Sequence, residues 1–223
     1  MEEHEPARRP PQEILPILTT EHFTLQTERS SASSDTHARL QLYMSVLTSS
    51  IISLALAAQI SEVGDAFRGF ALVLLPTVYV FGLVTLGRMR QLWLAWFAAS
   101  QGMNRIRHYY VEFAPETAPY FAMPTTDDPW TTLRGFGIGH GSVTGSKWQG
   151  LYTAPAAVSI VNSIVAGAFV GVLTATLTDG STLLPPILGA AAFVLSFVAL
   201  MINGFRGFRH QMSSTEVRFP PEA

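Results

Sequence analysis

The segment GFGIGHGSVTGSK, residues 135–147, has the composition of a phosphate-binding loop. A GxxxxGK[ST] loop cradles phosphates with its backbone N–H groups and needs a lysine directly after its last glycine. Here Ser146 separates Gly145 from Lys147, and no register of the segment places glycine at all three positions of GxGxxG. We therefore interpret it as a flexible tether between a short helix and the next apolar segment, and we expect no cofactor.

A second group of chemically capable residues lies at Arg105, Arg107, His108 and Glu112. His108 and Glu112 are four residues apart and would share one face of a helix. Such a face is either an anion-binding or acid–base site or an ordinary ion pair in solvent. We favour the ion pair, because nothing else in the sequence converges on it, and keep all four residues as a candidate cytoplasmic contact.

The remaining polar residues argue against catalysis and metal binding. The chain has no cysteine, and its six histidines lack the spacing of metal ligands. In TTDDPW, Asp128 is placed to cap a short helix that begins with Pro129, continues through Arg134 and ends at Gly135. We expect no catalytic or metal site. An enzyme would require the His108 region to fold against another polar cluster.

Four long runs without any ionisable residue dominate the rest of the chain, at residues 40–61, 69–87, 148–178 and 180–205. Each has at least nineteen residues, and about twenty helical residues cross the hydrocarbon core of a bilayer. Only 13% of all residues are charged, against roughly 25% in a soluble domain. The runs predict membrane-spanning helices at about residues 41–60, 70–87, 154–177 and 183–202.

The basic residues predict how these spans are oriented. Thirteen of the fourteen lie before the first span, between the second and third, or after the fourth, whereas Arg68 alone lies in a short hairpin. Basic loops stay in the cytoplasm, so both termini and the central segment should be cytoplasmic in a protein of the cell membrane. The formal net charge of −2 offers no basic field for nucleic acid.

The predicted fold is an all-α integral membrane four-helix bundle, N-in/C-in, with a small helical cytoplasmic segment between spans 2 and 3. Its first helix should begin at Ser34 or Asp35, because either residue can cap a helix. The predicted organisation is a mobile N-terminal segment (1–34), a first hairpin (35–87), a cytoplasmic segment (88–152), a second hairpin (153–204) and a cytoplasmic tail (205–223).

Polar and small residues within the spans suggest contacts rather than chemistry. No span contains an ionisable residue, which argues against a proton relay or voltage sensor. Small residues four apart let helix backbones approach closely in lipid, within one bundle or between subunits, or else line a pore. An amide in a span seeks a partner across a helix interface, and proline kinks a helix. The candidates are Ser45, Ser49, Ser53, Asn162, Ser163, Gly167 and Gly171, with a kink at Pro76.

Aromatic and basic side chains flank the central segment. Tryptophan favours the headgroup region, and arginine beside it can extend its charge into water. Both kinds of residue follow the second span and precede the third. The predicted interface residues are Arg88, Arg90, Trp93, Trp96 and Trp148.

The stretches EHFTLQTERSSASSDTHARLQLYMSVLTS, NRIRHYYVEFAPE and SIVNSIVAGAFVGVL resemble segments of an uncharacterised family of bacterial four-span membrane proteins. The resemblance covers roughly residues 20–205 and implies topology alone, since that family has no assigned activity. A fainter similarity is to small helical membrane effector domains of bacterial nucleotide-signalling defence systems, which usually have two spans.

Two functions remain open at this point. One is a non-enzymatic, oligomerising scaffold or regulatory subunit whose cytoplasmic segment binds a partner; the other is a homo-oligomeric channel or membrane-permeabilising effector. The expected partners are the lipid bilayer and either further copies of the chain or another membrane protein.

Overall fold

All regular structure in the described part of the chain is helical. A computed structural model describes residues 12–61, 64–136, 152–178 and 182–221. The helices are α1 (Ile14–Ser61), α2 (Asp65–Phe113), a 3-10 helix (Pro115–Tyr120), α3 (Pro129–Gly135), α4 (Ala154–Leu177) and α5 (Leu184–Ser214).

Four of these helices, α1, α2, α4 and α5, are long and apolar enough to cross a membrane. They contain 48, 49, 24 and 31 residues, whereas about twenty residues suffice for one crossing. The prediction of four apolar helices is therefore confirmed. Three of the four extend well beyond the predicted spans.

The first helix begins twenty residues earlier than the sequence suggested. We expected a cap at Ser34 or Asp35 and mobile chain before it, but residues 14–34 belong to α1. The predicted helix start is therefore wrong. Leu25 of this early part packs into the space that a side chain at Gly102 of α2 would occupy, and such tertiary packing outweighs a local capping preference.

The second helix continues without interruption from Asp65 to Phe113. The segment predicted to be helical between spans 2 and 3 is therefore helical as far as Phe113, and this part belongs to the same helix as the predicted second span. Pro76 lies inside α2, which is helical on both sides of it. The kink at Pro76 remains a prediction.

The chain divides into two compact units. What we call the polar unit comprises Met1–Ser34, Leu92–Gln149 and Gln211–Ala223. The apolar unit comprises Asp35–Gln91 and Gly150–His210. α1, α2 and α5 each contribute residues to both units, whereas α4 lies in the apolar unit and α3 in the polar unit.

Within the apolar unit, α4 is the most buried helix. The buried fraction of the most apolar window is 39% in α4, against 11% in α1 and 6% in α5. One core cluster joins Val165 of α4 to Ala71, Leu75 and Val78 of α2. α4 thus shares its core with α2, and within the described residues the apolar windows of α1 and α5 are the least buried.

Candidate functional site

The most developed polar arrangement of the described residues surrounds Asp127 in the polar unit. Asp127 lies just before α3 and is fully buried. Its Oδ2 atom accepts a hydrogen bond from Arg105 Nε of α2 at 2.7 Å. The backbone N–H groups of Arg218 and Phe219, in the C-terminal tail, donate to the same carboxylate at 3.1 and 2.8 Å. We call Arg105, Asp127, Arg218 and Phe219 the tail clamp.

Further hydrogen bonds hold the clamp in place. The backbone N–H of Asp127 donates to the carbonyl of Phe219 at 3.3 Å, and Arg105 donates to the carbonyl of Glu216 at 2.9 Å. Buried Gln101 of α2 donates to the carbonyl of Asp127 at 2.7 Å. The tail is therefore attached through backbone and side-chain bonds together.

The environment of Asp127 stabilises its ionised form. Burial on its own raises the pKa of the carboxyl group. Hydrogen bonds from the Phe219 backbone, the Arg105 side chain and the Arg218 backbone, with the positive charge of Arg105, more than offset burial and leave the pKa below its ordinary value. Asp127 is therefore a carboxylate throughout the neutral range.

This shift predicts how the tail attachment responds to acid. Because the folded-state pKa of Asp127 lies below the unfolded value of 3.8, the stabilisation it provides is present above that value and is lost as the pH falls through the folded pKa. Hydrogen exchange at the amides of Arg218 and Phe219, corrected for intrinsic rates, should show constant protection from pH 7 to about pH 4 and a loss below it. Loss of protection centred above pH 5 would contradict this account.

Asp128, the neighbour of Asp127, has a separate and local role. Its Oδ1 atom accepts a hydrogen bond from the backbone N–H of Thr131 at 2.9 Å, which caps α3. Pro129 occupies the first turn, and α3 ends at Gly135. The predicted helix and its cap are therefore confirmed, whereas the clamp at Asp127 was not predicted from the sequence.

The candidate contact on α2 is arranged differently from the predicted ion pair. His108 stacks on the ring of Phe219, with a centroid separation of 4.2 Å, while Glu112 is exposed. No ion pair joins His108 to Glu112 among the described residues, so that prediction is wrong. Phe219 provides a better surface for the imidazole than a solvated carboxylate does. Arg105 joins the clamp, and Arg107 donates to Asn104 Oδ1 at 2.7 Å.

In the apolar unit, Asn162 lies fully buried in α4. Tyr43 Oη of α1 donates to Asn162 Oδ1 at 3.4 Å. The amide occupies the space that a side chain at Gly82 of α2 would need. Asn162 Nδ2 has no hydrogen-bond partner among the described residues, so this contact joins three helices without satisfying the whole amide.

The small residues of α4 face another helix of the same chain. Gly167 approaches Gly189 of α5 so closely that a Cβ atom on Gly167 would lie 2.8 Å from the Gly189 carbonyl oxygen. Ser163 is fully buried; its hydroxyl donates to the carbonyl of Ser159 at 2.7 Å and lies 3.4 Å from the hydroxyl of Ser196 of α5. A Cβ atom on Gly171 would have an ordinary 3.6 Å contact with α5.

The serines of α1 are placed differently. Ser45, Ser49 and Ser53 are all exposed in the single chain. Ser45 donates to the carbonyl of Gln41 at 2.9 Å, and Ser53 donates to the carbonyl of Ser49 at 2.8 Å. The hydroxyls of Ser45 and Ser53 therefore bond within α1, and the serine face is left exposed by the described residues.

The predicted interface residues are divided between the two units. In the apolar unit, Arg88 donates to Gln91 at 3.1 Å, and the guanidinium of Arg90 lies against Gly207 of α5. In the polar unit, Trp93 stacks on Phe97 and the edge of Trp96 meets Phe136, with centroid separations of 5.4 and 4.6 Å. Trp148 lies outside the described residues.

The remaining candidates, a metal site and the glycine-rich segment, form no further site in the described residues. In the described ranges, no three His, Asp or Glu side chains come together as a metal ion would require. The glycine-rich segment lies, from residue 137 onward, outside the described residues. The resemblance to a bacterial four-span family stays a prediction. Comparison with protein-family models, with curated proteins and with solved structures found no match to this chain.

Proposed function

We propose that the chain is a self-associating, multi-pass protein of the cell membrane that acts as a non-enzymatic scaffold or regulatory subunit. Its termini and the segment between the second and third spans lie in the cytoplasm, where the polar unit binds a partner. The distribution of thirteen of the fourteen basic residues supports this orientation.

The observation that carries the proposal is the exposure of the serine face of α1. Ser45, Ser49 and Ser53 present a surface of small side chains that no helix of the same chain covers in the described residues. In lipid, small residues favour helix association because backbones can approach closely. The α4 face already has such a partner in Gly189, which leaves the α1 face for a second copy.

The clamp supports the regulatory part of the proposal. It gathers three separate stretches of the polar unit, because Arg105, Asp127 and Arg218 come from α2, the segment before α3 and the C-terminal tail. A surface assembled from distant stretches keeps a fixed shape only while the hydrogen bonds of the clamp are intact. Such a surface suits recognition of a partner protein, and opening the clamp would change it.

Single-cysteine cross-linking tests self-association, and the natural chain contains no cysteine to interfere. Ser49→Cys in native membranes should form a disulfide-linked dimer under mild oxidation. Ile51→Cys is the matched control, since Ile51 is 57% exposed on the same helix and lies about 200° away around it. We expect Ser49→Cys to cross-link about tenfold faster. Equal rates, or monomer alone from Ser49→Cys, would contradict the proposal.

The alternative is a homo-oligomeric channel, which the hydroxyls of the same face favour. In an assembly, Ser49 and Ser53 would face either a neighbouring helix or a water-filled lumen. Purified protein in dye-loaded liposomes separates these outcomes. Leakage that rises with protein density and falls in Ser49→Leu supports the channel, whereas vesicles that stay tight support the scaffold.

A further inference from the structure

Three basic side chains of the polar unit, none of which belongs to the clamp, interact electrostatically with one another. His22 and Arg29 lie seven residues apart on one face of α1, and Arg107 belongs to α2. Burial, then the charge of Arg29, lowers the pKa of Arg107. Burial, then the charges of Arg107 and Arg29, lowers the pKa of His22. His22 and Arg107 therefore each lie within range of the positive charge of Arg29.

Acidic side chains of the described residues form no ion pair with Arg29 or Arg107. Within the described ranges, the ion pairs involve Arg68, Arg105 and Arg218, and neither Arg29 nor Arg107 forms one. The nearest compensation is neutral, because Arg107 donates to the amide oxygen of Asn104 at 2.7 Å. His22 Nδ1 is buried without a hydrogen-bond partner in the described structure.

A groove opens beside Arg29, at one end of the cluster. Its volume is about 360 Å³. The guanidinium carbon of Arg29 lies 5.3 Å from the centre of the Phe136 ring, so one side of the groove combines positive charge with an aromatic face. Its other lining residues are Gln26, Ser30, Ser33 and Trp96.

We propose that this cluster and groove form a binding site for a phosphate-bearing anion. Arginine presents several N–H donors in a planar fork that matches phosphate oxygens, and the serine hydroxyls beside Arg29 add further donors. A bound anion would also relieve the repulsion between Arg29 and Arg107. The aromatic wall accepts a planar or apolar part of the same ligand.

The phosphate can come from a soluble ligand or from a lipid headgroup, and two arms of one experiment distinguish these sources. The measured quantity is the thermal unfolding temperature of the full chain. In the soluble arm, detergent-solubilised protein is titrated with inorganic phosphate, pyrophosphate and a nucleoside triphosphate, against chloride at equal ionic strength. In the lipid arm, the protein is reconstituted in nanodiscs of phosphatidylglycerol or of phosphatidylcholine.

Stabilisation by a soluble phosphate, or by phosphatidylglycerol alone, supports the site and identifies the source. Arg29→Gln and Arg107→Gln should weaken the apparent affinity, or the lipid-dependent shift, by about tenfold. Because Arg107→Gln also removes the hydrogen bond to Asn104, and Arg29→Gln the contact with the Phe136 ring, each shift is measured against the same variant without ligand. The matched control is Arg39→Gln, at an exposed arginine of the same helix.

Two results would overturn the site. One is the absence of stabilisation in both arms at millimolar anion and in pure phosphatidylglycerol. The other is a loss of ligand-dependent stabilisation in Arg39→Gln as large as the loss in Arg29→Gln and Arg107→Gln. General charge attraction would then explain the shift in unfolding temperature. The site does not involve the serine face of α1, so its failure leaves the proposed self-association unaffected.

Discussion

Replacing Asp127 with asparagine should release the C-terminal tail and lower the free energy of unfolding by about 2–4 kcal/mol. The carboxylate accepts from Arg105, Arg218 and Phe219 with its two oxygens. Asparagine keeps the shape but presents an NH₂ group in place of one oxygen. Whichever way the amide turns, a donor faces another donor, and Arg105 loses its counter-charge.

Trypsin gives a direct measurement of tail release, because it cleaves after Arg218, the residue whose backbone N–H binds Asp127. We expect Asp127→Asn to release the peptide 219–223 at least about tenfold faster, because each loss of about 1.4 kcal/mol in tail attachment raises the population of released tail about tenfold. Asp128→Asn is the matched control. Asparagine caps helices as well as aspartate does, so this variant should be cleaved at the rate of the natural protein. Equal cleavage of the two variants would contradict the clamp.

Asp127 and Asp128 also show which contacts the sequence can predict and which it cannot. The cap at Asp128 depends on residues one to three positions away, and the motif DPW contains all of that information. The partners of the Asp127 carboxylate are Arg105, 22 residues away along the chain, and Arg218 and Phe219, 91 and 92 residues away. The only local signal was an excess carboxylate, since a single cap does not need two aspartates. Nothing in the sequence identified Arg218 and Phe219 as its partners.

The predicted start of α1 was wrong for a related reason. Ser34 and Asp35 are good capping residues, and the segment before them is polar, so local preference predicted a helix start there. Burial of Ala32 and the contact of Leu25 with Gly102 instead continue the helix back to Ile14. A propensity of a few tenths of a kcal/mol per residue cannot compete with packing of this kind.

The apolar runs were predictable because their signal is compositional and long. Which small-residue face is internal was not predictable, because Ser49 and Gly167 have the same spacing pattern. The structure assigns Gly167 to a contact within the chain and leaves Ser49 exposed. This difference depends on which helices are neighbours, and helical periodicity does not encode it.

Gly167→Ala should separate α4 from α5 and destabilise the apolar unit by about 1–3 kcal/mol. The added Cβ atom would lie 2.8 Å from the backbone oxygen of Gly189 and 3.2 Å from Cβ of Phe193. A backbone carbonyl cannot rotate away as a side chain can, so the helices must move apart. That movement also lengthens the 3.4 Å distance between the hydroxyls of Ser163 and Ser196.

Gly171→Ala, one turn further along α4, is the matched control. Its Cβ atom would have an ordinary 3.6 Å contact with the carbonyl of Pro185, so this variant should be neutral or slightly stabilising, since alanine favours helix more than glycine does. Both variants change the same residue type in the same helix. Their difference in unfolding free energy in mixed micelles therefore isolates the contact with Gly189, and equal stabilities would refute it.

Combining Gly167→Ala with Ser49→Cys separates internal packing from self-association. Suppose that α4 packs within the chain while α1 binds a second copy. The double variant should then be less stable than Ser49→Cys alone, but its folded fraction should still cross-link through the cysteine at position 49. If Gly167 instead contributes to the contact between copies, the cross-linking rate must fall without a loss of stability. The two results are opposite because the contact of Gly167 is needed for folding, whereas the contact of the serine face forms only between folded chains.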